Sequence, residues 1–168
     1  LWYWIDMNKI KIDMQLNAKD IWLFSMYHSN RGFLLIFNVL FTIVMYYYMI
    51  TSWNTIDIPR KILFLALANM FLLIQPAMLY LKSAKQARSE AIRAGLSLEM
   101  NDEGIVVASK GESIDFKWES GFRSRIVPGI IIIYVDAVRG YLLPDRYTKE
   151  NKEKIVAVLK EKTRVSLL

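Results

Sequence analysis

The stretch "YMITSWNTIDIPRKILFL", residues 48–65, stands between two long apolar runs, and the nature of those runs decides the fold. Residues 32–53, "GFLLIFNVLFTIVMYYYMITSW", carry no charge in 22 positions, and residues 62–81, "ILFLALANMFLLIQPAMLYL", none in 20. About 20 mainly apolar residues suffice for a helix to cross a hydrocarbon core of roughly 30 Å. A surface helix of a soluble domain shows a polar face every few residues, and neither run does. A helical hairpin buried entirely in protein would need far more surrounding chain than 168 residues supply. The runs therefore read as two transmembrane helices, 32–53 and 62–81. "NTIDIPRK" (54–61) turns the chain outside the bilayer, Trp53 anchors the interface, and Pro59 bars Ile58 from continuing a helix. Tyr46, Tyr47, Tyr48 and Tyr80 suit interfacial depths as well.

Composition agrees. Hydrophobic residues make up 54% of the chain, above the 45–50% or so of soluble domains. Cysteine is absent, which excludes disulfides and thiolate metal sites. No signal peptide is expected, because the first run begins late, is too long for an h-region and lacks a small-residue cleavage site. Two spans return both termini to one side. The 54–61 turn offers Arg60 and Lys61 against Asp57, whereas Lys19, Arg31, Lys82, Lys85, Arg88 and Arg93 flank the spans on the other side. The positive-inside bias then makes the chain a multi-pass protein of the cell (cytoplasmic) membrane with both termini cytoplasmic. In "LKSAKQARSEAIRAG" nothing breaks a helix before Gly95, so 82–95 reads as a basic helical stem. Its Lys82, Lys85 and Arg88 are candidate contacts to anionic lipid.

Beyond Gly95 the period changes from helical to alternating. "LSLEM" (96–100), "IVVAS" and "SIDFKWE" (113–119) are strands separated by "NDEG" and "KGE" turns, with Ile114, Phe116 and Trp118 on one face. "FRSRIV", a Pro128–Gly129 turn, "IIIIYVD" (130–136) and "YLLP" (141–144) continue the meander. Because "IIIIYVD" is apolar on both faces, it is expected at the centre, covered from each side. "TKENKEKIVAVLKEKTR" closes as a helix over 148–163, with Thr148 as cap, a Glu150–Lys154 pair, and Ile155, Val158 and Leu159 buried. Residues 10–16, "IKIDMQL", alternate too, and "NAKDIWLFSMYHS" (17–29) reads as a short helix capped by Asn17 with Asp20 in its first turn. A lone strand ahead of a span would leave its edges unpaired. That strand is therefore expected to complete the C-terminal sheet, making the hairpin an insertion in one fold. The expected organisation is a cytoplasmic strand and helix (1–31), the hairpin (32–81), the stem (82–95) and a sheet-and-helix domain (96–168) of five or six strands. The class is an α+β membrane protein in which a two-helix transmembrane hairpin carries a small cytoplasmic antiparallel sheet with a C-terminal helix.

The order of these pieces, with "YHSNRG" before the spans and "DFKWESGFRSRIVPGIIIIYVDAVRGYLLPDRYT" at the heart of the sheet, resembles the YcxB-like family of bacterial membrane proteins over about residues 10–160. Trp118, Ile130–Tyr134 and "LLPDRY" (142–147) carry the likeness, and Tyr147 stands where Phe is the commoner residue. The resemblance implies a two-span anchor with a pleckstrin-homology-like cytoplasmic domain and implies no particular reaction. Fold alone does not supply one.

The residues themselves offer little chemistry. His28 is the single histidine and reads as interfacial packing beside Arg31; no phosphate-cradling glycine loop occurs. "NDEG" reads as a hairpin turn before it reads as a calcium loop. No catalytic, metal-binding or cofactor-binding residue is expected, and no cofactor. The net charge of +6 is interspersed with acidic residues and lacks an aromatic-basic array, so nucleic acid is not an expected partner. Asn38 and Gln75, each about 9 Å inside its span, are expected to bond across the helices and clip the hairpin. The expected function is non-enzymatic: a two-span membrane protein presenting a small domain to a protein partner through Trp118, Phe122, Arg123, Arg125 and Tyr147. Core packing is the competing role for Trp118 and Tyr147. The alternatives are an immunity or inhibitor protein against a toxin or bacteriocin at the membrane and an oligomeric transport subunit. Homo-oligomer formation fits any of these.

Overall fold

The computed structural model describes residues 9–118, 122–136 and 140–167. The chain opens with β1 (Ile10–Met14) and α1 (Ala18–Ser29), and the hairpin follows as α2 (Phe33–Thr51), α3 (Ile58–Ala68), a π-helical turn at Met70–Ile74 and α4 (Gln75–Ala87). A short α5 (Glu90–Arg93) leads into β2 (Leu96–Met100), β3 (Gly104–Ser109), β4 (Glu112–Lys117), β5 (Arg123–Val127), β6 (Ile130–Tyr134) and β7 (Gly140–Pro144). Then come α6 (Asp145–Thr148), α7 (Lys152–Lys162) and β8 (Arg164–Leu167).

The architecture is mixed α+β. One meander was expected; instead the strands form two four-stranded sheets, ordered β1-β2-β3-β4 and β7-β6-β5-β8. The first sheet is antiparallel, and β1 pairs with β2 from Ile10↔Met100 to Met14↔Leu96, so the strand before the hairpin completes the sheet after it. Its turns are built locally. Asn101 Oδ1 accepts the Glu103 and Gly104 amides at 3.0 and 2.8 Å, so "NDEG" is the expected turn. Lys110 (φ 54°) and Gly111 (φ 81°) supply the two left-handed residues that a two-residue hairpin needs. Gly104 sits so close to β4 that a Cβ there would overlap the Phe116 carbonyl. In the second sheet β8 runs parallel to β5, a pairing the four residues "RVSL" do not announce.

Both sheets and α7 line one core of Ile12, Met14, Leu98, Met100, Ile105, Val107, Ile131, Ile133, Leu143, Ile155 and Leu159. The other face of β6, Ile130 and Ile132, joins Val127 and Leu142 under Leu16, Phe24 and Tyr27 of the α1 region. The isoleucine run is thus covered from both sides, as its lack of alternation requires. The closing helix is divided: α6, a 3-10 turn at Lys149–Asn151, and α7 in place of one helix over 148–163. Thr148 is fully buried and makes no side-chain cap. Along β4 Ile114 stands half exposed, while Phe116 and Trp118 pack on the core.

In the hairpin, α2 lies on α3 through Tyr48–Phe64 and on the π turn through Phe37, Phe41 and Phe71. Pro59 starts a helix where it was expected to hold one off. It sits in the first turn of α3, Asp57 caps by accepting the Arg60 amide, and the run begins at Ile58 rather than 62. Among the described residues only α2 is a single helix long and apolar enough to cross a membrane; its counterpart is broken, with Met70–Ala87 bent 49° from α3. The cause is local. Asn69 Nδ2 donates to the Leu65 carbonyl at 2.8 Å, and the Leu73 and Ile74 amides both reach the Asn69 carbonyl. Pro76 then brings no amide to restore the ordinary ladder, and a π-helical turn absorbs the extra residue. The stem is interrupted as well: α4 ends at Ala87, and Gly95 (φ 77°) terminates α5.

Candidate functional site

Helix α1 joins the two halves. Asn17 and Asp20 form a reciprocal capping box, Asp20 accepting the Asn17 amide at 2.8 Å and Asn17 the Asp20 amide at 3.0 Å. The same carboxylate, 5% exposed, receives a two-pronged Arg146 guanidinium at 2.6 Å on each oxygen. Arg146 also donates to the Gln15 carbonyl at 2.9 Å and lies 4.6 Å over the Tyr147 ring, whose hydroxyl donates to the same carbonyl at 3.2 Å. The hydrogen bond to Asp20 holds the guanidinium protonated more firmly than in an ordinary arginine. On its far side α1 packs along α4: Trp22 Nε1 donates to the Pro76 carbonyl at 3.0 Å and its ring meets Tyr80 edge-on. Tyr27 donates to the Pro128 carbonyl at 3.2 Å. The sequence placed Asp20 in a helix's first turn and "LLPDRY" in the sheet, but no spacing rule links residues 126 apart.

This clamp fixes a shelf at the root of the hairpin. Lys82 and Lys85 stand exposed on α4, and Arg88 just past its end, while Ser83, on its inner side, is buried. Where α4 ends, Arg88, Glu90, Arg93, Ala94 and Lys110 line an open cleft of about 410 Å³. Lys110 pairs with Glu90 at 3.0 Å, whereas the guanidinium groups of Arg88 and Arg93 have no partner among the described residues. A neighbouring shallow cleft of about 490 Å³ runs between β1, β2 and β3, with Tyr147 and Lys110 on its rim.

The residues expected to meet a partner are not gathered into one surface. Phe122 is buried in the core, with Trp118 edge-on against it, and Trp118 Nε1 donates to the Asn101 carbonyl at 2.8 Å. Packing, the competing role for Trp118, accounts for that residue and for Phe122 as well. Arg123 is exposed, and Arg125 lies opposite Ile132 with its Nε buried and unbonded. Tyr147, 38% exposed, belongs to the clamp. The expected Asn38–Gln75 clip is not formed. Asn38 Nδ2 donates to Asn30 Oδ1 at 2.9 Å, because the α1–α2 link brings Asn30 within reach, and Gln75 Oε1 is buried without a hydrogen bond. The cross-helix bond is instead Tyr46 to Asn69, at 2.9 Å. His28 is exposed and stacks on Phe24. Among the described residues no three His, Asp or Glu gather as a metal site.

Compared with protein-family models, curated proteins and solved structures, the chain finds no match.

Proposed function

We propose that this chain is a non-enzymatic membrane protein whose hairpin holds a small cytoplasmic domain at the bilayer surface for a protein partner, in keeping with the YcxB-like resemblance. One observation carries the reading. Among the described residues, 24 of the 26 large apolar or aromatic side chains that stand exposed lie between Phe33 and Leu81. Only 11% of the α2 window is buried, the reverse of a core helix. A soluble monomer leaves apolar patches of a few hundred Å² at most, and lipid covers such a surface without further chain. A cleaved leader fits poorly, since removing the chain up to α2 would take away β1 and α1. On this reading α3 and Met70–Ala87 together make the second, bent span, and both termini are cytoplasmic. The partner surface is the β4 edge, which pairs on one side only and exposes Ile114.

The absence of cysteine makes topology directly measurable. With Thr55→Cys or Glu161→Cys as the lone thiol, a membrane-impermeant maleimide should label the first in intact cells and the second only after permeabilisation. Equal labelling of both in intact cells would overturn the arrangement, and recovery of the protein in the soluble fraction would overturn membrane insertion. Crosslinking in native membranes followed by affinity capture, with a copy lacking residues 96–168 as control, tests the partner. A protein lost with the domain supports the module; recovery of the chain alone from both forms points to assembly through the spans.

A further inference from the structure

The bend at Asn69 sets the depth of everything after it. Arg88 lies seven residues beyond Leu81, the last apolar residue of the run, which is about 10 Å along a helix. With α3 along the bilayer normal, the 49° bend shortens that to about 7 Å of depth. The headgroup layer on each side of a bilayer is itself about 5–8 Å thick. A straight second span would carry Arg88 past the phosphates; the bent one leaves it among them. The outward face of α4 is graded to match, with Met78 and Leu81 exposed first and Lys82, Lys85 and Arg88 after them. α1 occupies the opposite side of α4, so this outward face is the one free to meet the leaflet. Arg93 and Lys110 then extend the basic row sideways into the cleft of about 410 Å³, where two guanidinium groups have no partner among the described residues. Glu90 is the one acidic group in that cleft, and it already holds Lys110.

We propose that this cleft of Arg88, Arg93 and Lys110, fed by the basic face of α4, binds the phosphates of anionic lipid headgroups and so seats the domain against the leaflet. The inference rests on the membrane reading given above. Planar guanidinium groups suit phosphate oxygens, which they can engage two at a time. Phosphate arriving at Lys110 competes with Glu90, so Glu90 lowers affinity and sharpens the demand for anionic charge.

The test is hydrogen exchange on the full chain in nanodiscs of phosphatidylcholine alone, of phosphatidylcholine with added inorganic phosphate in the buffer, and of phosphatidylcholine with phosphatidylglycerol. The wild type should exchange several-fold more slowly over residues 86–95 and 109–111 in the phosphatidylglycerol discs only. Arg88→Gln with Arg93→Gln and Lys110→Gln should abolish that difference, while slow exchange of β2 and β6 certifies the fold. Glu90→Gln, which removes no basic group, should enlarge it and gives a second reading if the triple variant is poorly folded. Equal exchange in the two lipid compositions would overturn the proposal, as would protection that survives the triple substitution. Protection by inorganic phosphate in phosphatidylcholine discs would show a soluble-anion site and overturn the lipid assignment. Incorporation into the discs, read from slow exchange over 33–51 in every composition, tests the membrane reading separately.

Discussion

Strand β6 and helix α2 are both strongly apolar and end in opposite situations. "IIIIY" of β6 has its four isoleucines at 1% exposure or less, whereas Phe33, Ile36 and Leu40 of α2 stand at 77, 58 and 57%. Composition therefore does not decide burial; the neighbours do. β6 is roofed by the first sheet and α7 on one face and by α1 on the other, and α2 meets little beyond α3 and the π turn. The sandwich is held by its own cover, and the hairpin is left largely bare by the described residues.

Substitutions test that contrast, with unfolding followed in detergent. The largest effect is expected at Asp20→Ala, about 3–4 kcal/mol, because it strips a buried acceptor from Arg146 and dismantles the capping box as well. Arg146→Ala should cost about 2 kcal/mol, less than a fully buried pair, since its side chain keeps 39% exposure. The folded-state pKa of Arg146 is raised above its unfolded value. The stability it contributes is therefore complete below the unfolded value and lost only at still more alkaline pH. The gap between wild type and Arg146→Ala should accordingly stay flat from about pH 7 to 9, and a gap that closes across this window would show that another group sets it.

Ile131→Ala should cost about 3 kcal/mol by opening a cavity at a site with no exposure. Ile36→Ala, the matched change on α2, should cost under about 0.5 kcal/mol if its neighbours are detergent or lipid. Similar losses at both sites would mean that protein covers α2, and the contrast would fail. Gly104→Ala should cost about 2 kcal/mol or more because the obstruction is backbone, and loss of the β3–β4 pairing should be visible by amide exchange. Within the hairpin, Tyr46→Phe should cost about 0.6–1.7 kcal/mol through the bond to Asn69. Gln75→Leu should change stability least, within about 0.5 kcal/mol, since its carbonyl oxygen has no hydrogen bond to lose.

Period and charge made the sandwich more legible in the sequence than the clamp. Alternation announced β1, β2 and β4, the unbroken isoleucines announced a doubly covered strand, and Asn17 with Asp20 announced the start of α1. The split into two sheets and the parallel β8 depend on how strands stack after the chain has turned back, which a four-residue segment does not encode. For the same reason Asp20 read as a helix-terminal charge and "LLPDRY" as a strand ending, while their bidentate bond joins the two ends of the chain. In the hairpin, depth counted along straight helices paired Asn38 with Gln75. The Asn69–Pro76 region bends, and an amide will satisfy itself on the nearest carbonyl or side chain before reaching across.

The pairing of β1 with β2 also imposes an order on synthesis. About 80 residues, the whole hairpin among them, separate Met14 from Leu96. At roughly 5–20 residues per second, β1 waits some 4–16 seconds for its partner. On the membrane reading proposed above, the hairpin must thread and return during that wait, for otherwise β1 and β2 end in different compartments and the sheet cannot close. A nascent chain that inserted only one of its two helical arms would thus be left with an unpaired strand, an unroofed β6 and an unanswered Arg146. On that reading sheet closure is a checkpoint on membrane insertion, written into the order of the chain.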